Sequence, residues 1–395
     1  MRAPQLRRAA AIAGAAAATR RMHAAASPVH GAAAPAASAA ATEPCSRRGE
    51  PVDGGRLATA PATAPAAPRH REYHSADFPW VELAPAGRAW EARHAHVDRA
   101  AEAEALAAAA ATHWQRFHRR HATGAFFRPR HYVPRAFPSL LALGPRAHVL
   151  ELGAGNGSNA TLLDALPPDA VVHFSDVAGA ALAAVAAHPL VAAGVAASRA
   201  TVFAWDVVTG ATPAGLLPSP PSPPPPPRGA HAAGGDSSGD SSSTSSSSSG
   251  GRGRYARQLA QWCAPPPAQL AGGMAATLCM FVLSALHPRH HGAALRHALA
   301  TLRPGGELLF RDYGLYDLAQ LRADEDALLT PRLHARGDGT LAYYFSVEEL
   351  AALLEAAGFV VDEVAYVTIR ARNRKLGVAM DRVWVHARAT RPPAG

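Results

Sequence analysis

Cysteine is scarce in this chain: three residues in 395, Cys45, Cys263 and Cys279. They stand far apart in sequence, which excludes a spaced zinc cluster and a paired disulfide framework, and it points to a reducing compartment. Aromatic residues make up only 6%, so the core must be assembled from scattered Leu, Val and Phe. Much of the 48% apolar content is alanine, which buries little surface, and some of the chain is therefore expected to be unpacked. No apolar run approaches the roughly 20 residues of a membrane-spanning helix; the alanine-rich stretch from Ala9 to Ala18 is too short. Lysine is nearly absent, so the net charge of +9 and the pI of about 10.1 are carried by arginine. Arginine favours bidentate contact with phosphate, and the balance suits a polyanionic partner.

Acidic residues are missing before Glu43, while Arg2, Arg7, Arg8, Arg20 and Arg21 crowd the start. An alanine-rich, basic, acid-free leader predicts an organellar transit peptide. Mitochondrion and chloroplast both stay open, with the cytoplasm as the alternative. The Ala/Pro-rich stretch to about residue 70 is expected to be disordered.

Residues 71–143 form an N-terminal extension holding Trp80, Trp90, Trp114, Phe117, Phe126, Phe127 and Tyr132. The run from Glu91 to His121 suits one or two alanine-rich helices, with Arg116, Arg119 and Arg120 near the last turn. Aromatics interleaved with arginine stack on bases and grip phosphates. The same residues also suit packing of the extension against a neighbouring domain.

From residue 144 to 392 the pattern alternates between strand and helix, the mark of a parallel sheet. Strands are expected in HVLELGAG, VVHFSD, TVFAWDVV, ATLCMFVLSAL and GELLFRDYG. Ser346 and Glu349 form a capping box that opens a helix stopping near Gly358. VVDEVAYVTIR and MDRVWVHARAT flank a turn as an antiparallel hairpin. Between the third and fourth strands, roughly Gly210 to Arg252, the Pro/Ser-rich composition predicts a disordered insertion in a surface loop. The histidines of HPRHH (His287, His290, His291) read as a loop-to-helix turn; no carboxylate or cysteine completes a metal set, and no metal is expected.

The chemistry begins at Glu151-Leu152-Gly153-Ala154-Gly155-Asn156-Gly157. Glycines at a strand-to-helix turn let the backbone approach a nucleotide-like ligand. A dinucleotide fingerprint would place glycine where this chain has Ser158. The Gly-x-Gly-x-Gly spacing instead suits S-adenosylmethionine. Asp176 closes the second strand, where a carboxylate accepts ribose hydroxyls, and Asp206 closes the third, where an acid accepts the adenine amino group. Glu151, Asn159 and Phe281 complete the candidate cofactor set.

FVLSALHP (Phe281 to Pro288), LRPGGELLFRDYGLYDLAQLR (Leu302 to Arg322) and RGDGTLAYYFSVEEL (Arg336 to Leu350), with RNRK and MDRVW, resemble the tRNA N3-methylcytidine methyltransferases. The resemblance runs from about Trp80 to Pro392, without the insertion. It departs at Pro129, where the family usually has aspartate, and at Ala154, where cysteine is common. The resemblance implies a Rossmann-like class I methyltransferase: an α/β fold, mostly parallel, with an antiparallel C-terminal hairpin strand. It implies methylation of N3 of a cytidine in a tRNA anticodon loop (position 32 in the family), and a helper such as a tRNA synthetase. Asp312 is then the catalytic candidate, with Tyr313 beside it. Phe126 and Phe127 are candidates for stacking on RNA, and Arg130, Arg311, Arg336 and Arg374 for its phosphates or base edges. The alternatives are another acceptor, a small molecule or protein, or a catalytically silent RNA-binding relative.

Overall fold

The computed structural model describes residues 75–122, 126–218, 272–373 and 378–393. The leader, most of the Pro/Ser-rich insertion and Arg374 lie outside the described residues. The longer helices of the extension are α1 (Ala84–His94), α2 (Ala100–Ala108) and α3 (Ala110–Arg120). After them, β1 (His148–Leu152), β2 (Val171–Asp176), α4 (Gly179–Ala186), α5 (Pro189–Ala196) and β3 (Ala200–Ala204) build one half of a sheet. The other half is β4 (Met274–Met280), α6 (His291–Thr301), β5 (Leu302–Tyr313), the short pair β6 (Leu333–Ala335) and β7 (Leu341–Tyr343), α7 (Val347–Ala357), β8 (Val360–Asn373) and β9 (Val378–Thr390).

The strand order is β3-β2-β1-β4-β5-β9-β8, with β6 and β7 paired separately. Every pair from β3 to β5 is parallel, and β9 runs antiparallel to both β5 and β8. The expected fold class is therefore the observed one. The order reverses between β1 and β4, and in open parallel sheets ligands bind in the crevice beyond the strand ends at such a switch.

Period-2 alternation assigns side chains to two cores, one on each sheet face. Leu150 and Leu152 of β1 join Leu308 and Phe310 of β5 in the first. Val149 joins Val172, Phe174 and Leu309 in the second. The same alternation sends Glu151 to the side of Val149 and Arg311 to the side of Leu309. Both end up buried, at 0% and 1% exposure. β4 is buried along its whole length, as a central parallel strand covered on both faces must be.

Several elements differ from the sequence pattern. The third strand stops at Ala204, before Trp205 and Asp206, and the fourth stops at Met280. Phe281 takes φ 61° and Leu283–Ala285 forms a 3-10 turn, because the chain must swing away from the sheet to open the crevice. The capping box is only half made. Ser346 Oγ accepts the Glu349 N–H at 3.1 Å, but the Glu349 carboxylate is taken by the Tyr343 hydroxyl and the Arg332 guanidinium. Part of the stretch expected to be disordered is folded among the described residues: Leu216 is fully buried. Pro218 and Gly273 are neighbours, with Pro218 Cγ 2.8 Å from where a Cβ on Gly273 would lie. An excursion that leaves and returns at one point costs the sheet little.

Four of the buried histidines give this core a defined acid sensitivity. Burial lowers His173 to about 3, and His291, His334 and His386 to about 4 each, from an ordinary 6.5. Below pH 6.5 the unfolded chain takes up protons at these sites that the native state refuses, so stability falls as pH drops. Each site withdraws on the order of 3 kcal/mol by pH 4. Glu151 and Asp312 act with the opposite sign, because burial raises them to about 7 and about 6. Four histidines outweigh two carboxyls, and the urea midpoint is expected to fall steadily from pH 6.5 to 4. A flat profile across that window would contradict it.

Candidate active site

The crevice at the switch is a cleft of about 250 Å³. Its floor is the glycine turn after β1, where Gly153 and Gly155 have φ 58° and 59°. That left-handed backbone disfavours L side chains. A Cβ on Gly153 would also come within 2.7 Å of Val282 Cγ2, so the position is closed to larger residues on both grounds. The turn is tied to the sheet: Ala154 N–H donates to Ser175 O at 2.9 Å, and Gly155 N–H to Asp176 Oδ2 at 2.9 Å.

Asp176 lies on the cleft wall with its other oxygen accepting Ala178 N–H at 2.8 Å. Asp206 also lines the cleft, two residues beyond the end of β3. Its Oδ1 accepts Val208 N–H at 2.9 Å and its Oδ2 the Thr209 hydroxyl at 2.5 Å. Both carboxylates are thus held by their own loops while still facing the cavity. Glu151, Gly157 and Asn159 are not on the cleft wall. Glu151 and Asn159 form a buried pair beneath the turn, Nδ2 to Oε1 at 2.8 Å, with Glu151 Oε2 left without a hydrogen-bond partner. Loss of hydration pushes that carboxyl up to about 7, against the opposing charge of Arg130.

On the far side of the cleft two cations and two rings stand in a row. The Arg130 guanidinium lies 5.2 Å from the Phe281 ring, Phe281 lies 5.3 Å from Tyr313, and the Arg336 guanidinium lies 5.6 Å from Tyr313. Phe281 is held in its left-handed conformation by an N–H bond to Arg311 O at 2.8 Å, and an outlier of that kind marks a constrained site. Arg336 is anchored to Leu341 O at 2.9 Å, which places β6, β7 and their turn on the cleft rim. That turn also brings in Asp338, which sequence reasoning missed; its Oδ1 accepts Thr340 N–H and Oγ1 at 3.0 and 2.7 Å. The quoted RGDGT motif was its only signal.

Phe126 and Phe127 border the cleft as well, Phe126 being 56% exposed and perpendicular to Phe127 at 4.9 Å. Trp114, Phe117 and His118 of α3 stand behind them. The sequence reading assigned none of these three to the cofactor.

Two expectations need correction. Arg311 does not reach the surface where RNA would meet it. It is 1% exposed, its guanidinium lies 4.9 Å from the Tyr132 ring and 5.8 Å from Trp384, and its Nη2 meets His386 Nδ1 at 3.2 Å. Strand parity turns it into the second core. Asp312 likewise stands behind the wall and not on it. It is fully buried, with Oδ2 accepting Ser284 N–H and Oδ1 accepting Tyr313 N–H, both at 2.9 Å. Burial raises it to about 6, and those hydrogen bonds resist the rise. Its visible work is to hold Ser284 and Tyr313, which do line the cleft. Among the described residues no group of three or more His, Cys, Asp or Glu is placed to hold a metal.

The arrangement fits the cofactor expected from the sequence. A glycine cradle admits close backbone approach, Asp176 and Asp206 offer acceptors to hydroxyls and an amine, and Glu151 keeps an unpartnered oxygen beneath the turn. A family model described as "Methyltransferase domain" matches residues 114–364. The chain belongs to this methyltransferase family. It is similar to a tRNA N(3)-methylcytidine methyltransferase of Drosophila melanogaster, 41% identical over 113 residues, 29% of this chain and 35% of that one. O-methyltransferase 3 of Dictyostelium discoideum is 39% identical over 117 residues, 29% of this chain and 27% of that one. A tRNA N(3)-cytidine methyltransferase of Homo sapiens is 39% identical over 118 residues, 29% of this chain and 41% of that one. The matched stretch thus spans well under half the length of these curated relatives.

Proposed function

We propose that this methyltransferase binds S-adenosylmethionine in the cleft and methylates N3 of a cytidine in a tRNA anticodon loop. The observation that carries the reading is the Arg130–Phe281–Tyr313–Arg336 row facing the glycine turn. Rings take the face of an unstacked base, and guanidinium groups take its edge or the adjoining phosphates. N3 is paired in a duplex, so the acceptor must be a loop base splayed out of its stack. The similarity to tRNA N3-cytidine methyltransferases supports the same acceptor.

When bound, the cofactor supplies an electrophilic methyl group on sulfonium sulfur, which the lone pair of neutral cytosine N3 accepts without prior deprotonation. The protein's task is then alignment and charge. Gly153, Gly155, Asp176 and Asp206 hold the cofactor. Phe281 and Tyr313 fix the plane of the base. Asp312 acts through Ser284 and Tyr313 as a positioning residue, and its charge counters the positive charge that grows on the methylated ring. A tRNA synthetase or similar helper presents the tRNA, and a mitochondrial or chloroplast address follows from the acid-free leader.

A second reading, transfer to an acceptor other than tRNA, is favoured by the similarity to O-methyltransferase 3. The test is methyl transfer from labelled S-adenosylmethionine to unmodified tRNA, followed by nucleoside mass spectrometry. Appearance of 3-methylcytidine is the expected result. A chain that binds the cofactor yet forms no 3-methylcytidine, with or without added synthetase, would refute it.

A further inference from the structure

We infer that Asp338 is the residue that selects cytosine: one oxygen of its carboxylate accepts a hydrogen from the exocyclic amine (N4) of the base that is methylated at N3. The inference deepens the proposed function and rests on it.

Among the described residues three acids line the cleft, Asp176, Asp206 and Asp338. Asp176 is bonded to the glycine turn and Asp206 follows β3, both in the half of the sheet assigned to the cofactor. Asp338 stands across from them, in the turn between β6 and β7. It is two residues from Arg336, whose guanidinium lies 5.6 Å from the Tyr313 ring. Asp312 is withdrawn from that side: it is fully buried, with both oxygens bonded to the N–H groups of Ser284 and Tyr313. Asp338 is therefore the acid that a base lying against Phe281 and Tyr313 can meet.

The turn fixes this carboxylate in advance. Its Oδ1 accepts the Thr340 N–H at 3.0 Å and the Thr340 hydroxyl at 2.7 Å. Arg336 N–H donates to Thr340 O, and Gly339 N–H to Arg336 O, each at 2.8 Å. Gly339 has φ 85°, and His113 of α3 donates its Nδ1–H to the Gly339 carbonyl at 2.6 Å. With Oδ1 committed to Thr340, Oδ2 accepts no hydrogen bond from any described residue. An acceptor held in place by its own loop needs little reorganisation when a base arrives.

The two pyrimidines differ at the edge such an oxygen would read. Cytosine offers the N4 amine, a donor, beside an N3 with an in-plane lone pair. Uracil offers O4, an acceptor, beside an N3–H. A carboxylate oxygen attracts the first and repels the second, and a site built for a donor strongly rejects an analogue that lacks it. The contact also assists the reaction. As N3 bonds to the methyl carbon, the C–S bond leaves its electron pair on sulfur, and the positive charge passes to the ring and is shared with N4. The N4–H···Oδ2 bond is then charged on both sides, so it is stronger in the transition state than before it. No proton has to move.

The test uses the full chain and three RNA stem-loops that differ only at the acceptor: cytidine, uridine, or the pyrimidin-2-one ribonucleoside, which keeps N3 and lacks the amine. Loop affinity with S-adenosylhomocysteine present, and methyl transfer from S-adenosylmethionine in a single turnover, are measured for wild type and Asp338→Asn. Asparagine keeps an oxygen for Thr340 and puts a donor where Oδ2 was. Wild type is expected to bind the cytidine loop about tenfold or more tighter than the other two, the scale of one hydrogen bond to a charged group. In Asp338→Asn those ratios are expected to shrink to within about threefold, which assigns the lost preference to the pairing of Asp338 with N4. Its transfer to cytidine is expected to be about a hundredfold slower, with affinity for S-adenosylhomocysteine unchanged. A wild type that binds the pyrimidin-2-one loop as tightly as the cytidine loop would overturn the inference, whether or not the variant folds. So would an Asp338→Asn protein that keeps the wild-type ratios and rate, and in both cases 3-methylcytidine formation by wild type would leave the proposed function standing. A wild type that binds S-adenosylhomocysteine but methylates none of the loops and no tRNA would remove the proposed function, and the inference with it.

Discussion

Gly155→Val is expected to abolish cofactor binding while leaving the methyltransferase domain folded. Gly155 sits at φ 59°, where an L residue costs about 1–2 kcal/mol and a β-branched one somewhat more. The added atoms meet no backbone wall, since the nearest neighbours of a Cβ there are His118 Cε1 at 3.7 Å and Gly153 O at 3.9 Å. They project into the cleft instead and take up part of its roughly 250 Å³. The strain also disturbs the N–H bond to Asp176, the residue on the cofactor wall. Affinity for S-adenosylhomocysteine is expected to drop at least about a hundredfold, or some 2.7 kcal/mol. Thermal unfolding should move only by a few degrees. Affinity within threefold of wild type in a folded variant would show that the turn is not where the cofactor binds.

Arg311→Ala is expected to act on the fold and not on RNA directly. The arginine fills space in the second core between Tyr132, Trp384 and His386. Truncation leaves a cavity worth about 2–5 kcal/mol, while Arg311→Met keeps most of the volume and most of the stability. The guanidinium is also one reason His386 is depressed to about 4, after burial itself. Its removal should let the His386 titration, followed by NMR, move back toward ordinary values. A stable Arg311→Ala protein with selectively weakened RNA binding would restore the surface role that its burial denies. Arg336 is the contrasting case, because it stands on the cleft rim and its loss should spare stability.

Much of the fold was legible because the relevant signals are local. Glycines after an apolar strand, a carboxylate at the end of the next, and hydrophobic runs alternating with helices mark a parallel sheet without further information. The final hairpin announced itself by period-2 patterning on both sides of a turn. Element ends were less legible. Trp205 and Asp206 continue the strand-like composition of β3, yet the ladder stops at Ala204 because the chain turns to line the cleft. Phe281 and Val282 look like strand residues but turn away from the sheet and line the cleft. The capping box at Ser346 was half right, because tertiary contact with Tyr343 and Arg332 outcompeted the local return bond from Glu349.

The candidate site divides along the same line. Gly153, Gly155, Asp176 and Asp206 belong to short segments at strand ends, and the strand order brings all four to one crevice. Sequence alone marked these residues as candidates for a nucleotide-like cofactor, since backbone freedom and carboxylate position are properties of each segment. Only the tertiary structure decided which side chains reach the cleft. The pleat sends Arg311 into the core and Asp312 behind Ser284 and Tyr313, although both lie in the same motif as Tyr313. Packing across more than two hundred residues sets His113 against Gly339, and so makes α3 a wall of the site. Burial depends on what covers a residue, and in this chain the covering elements come from the other end of the sequence.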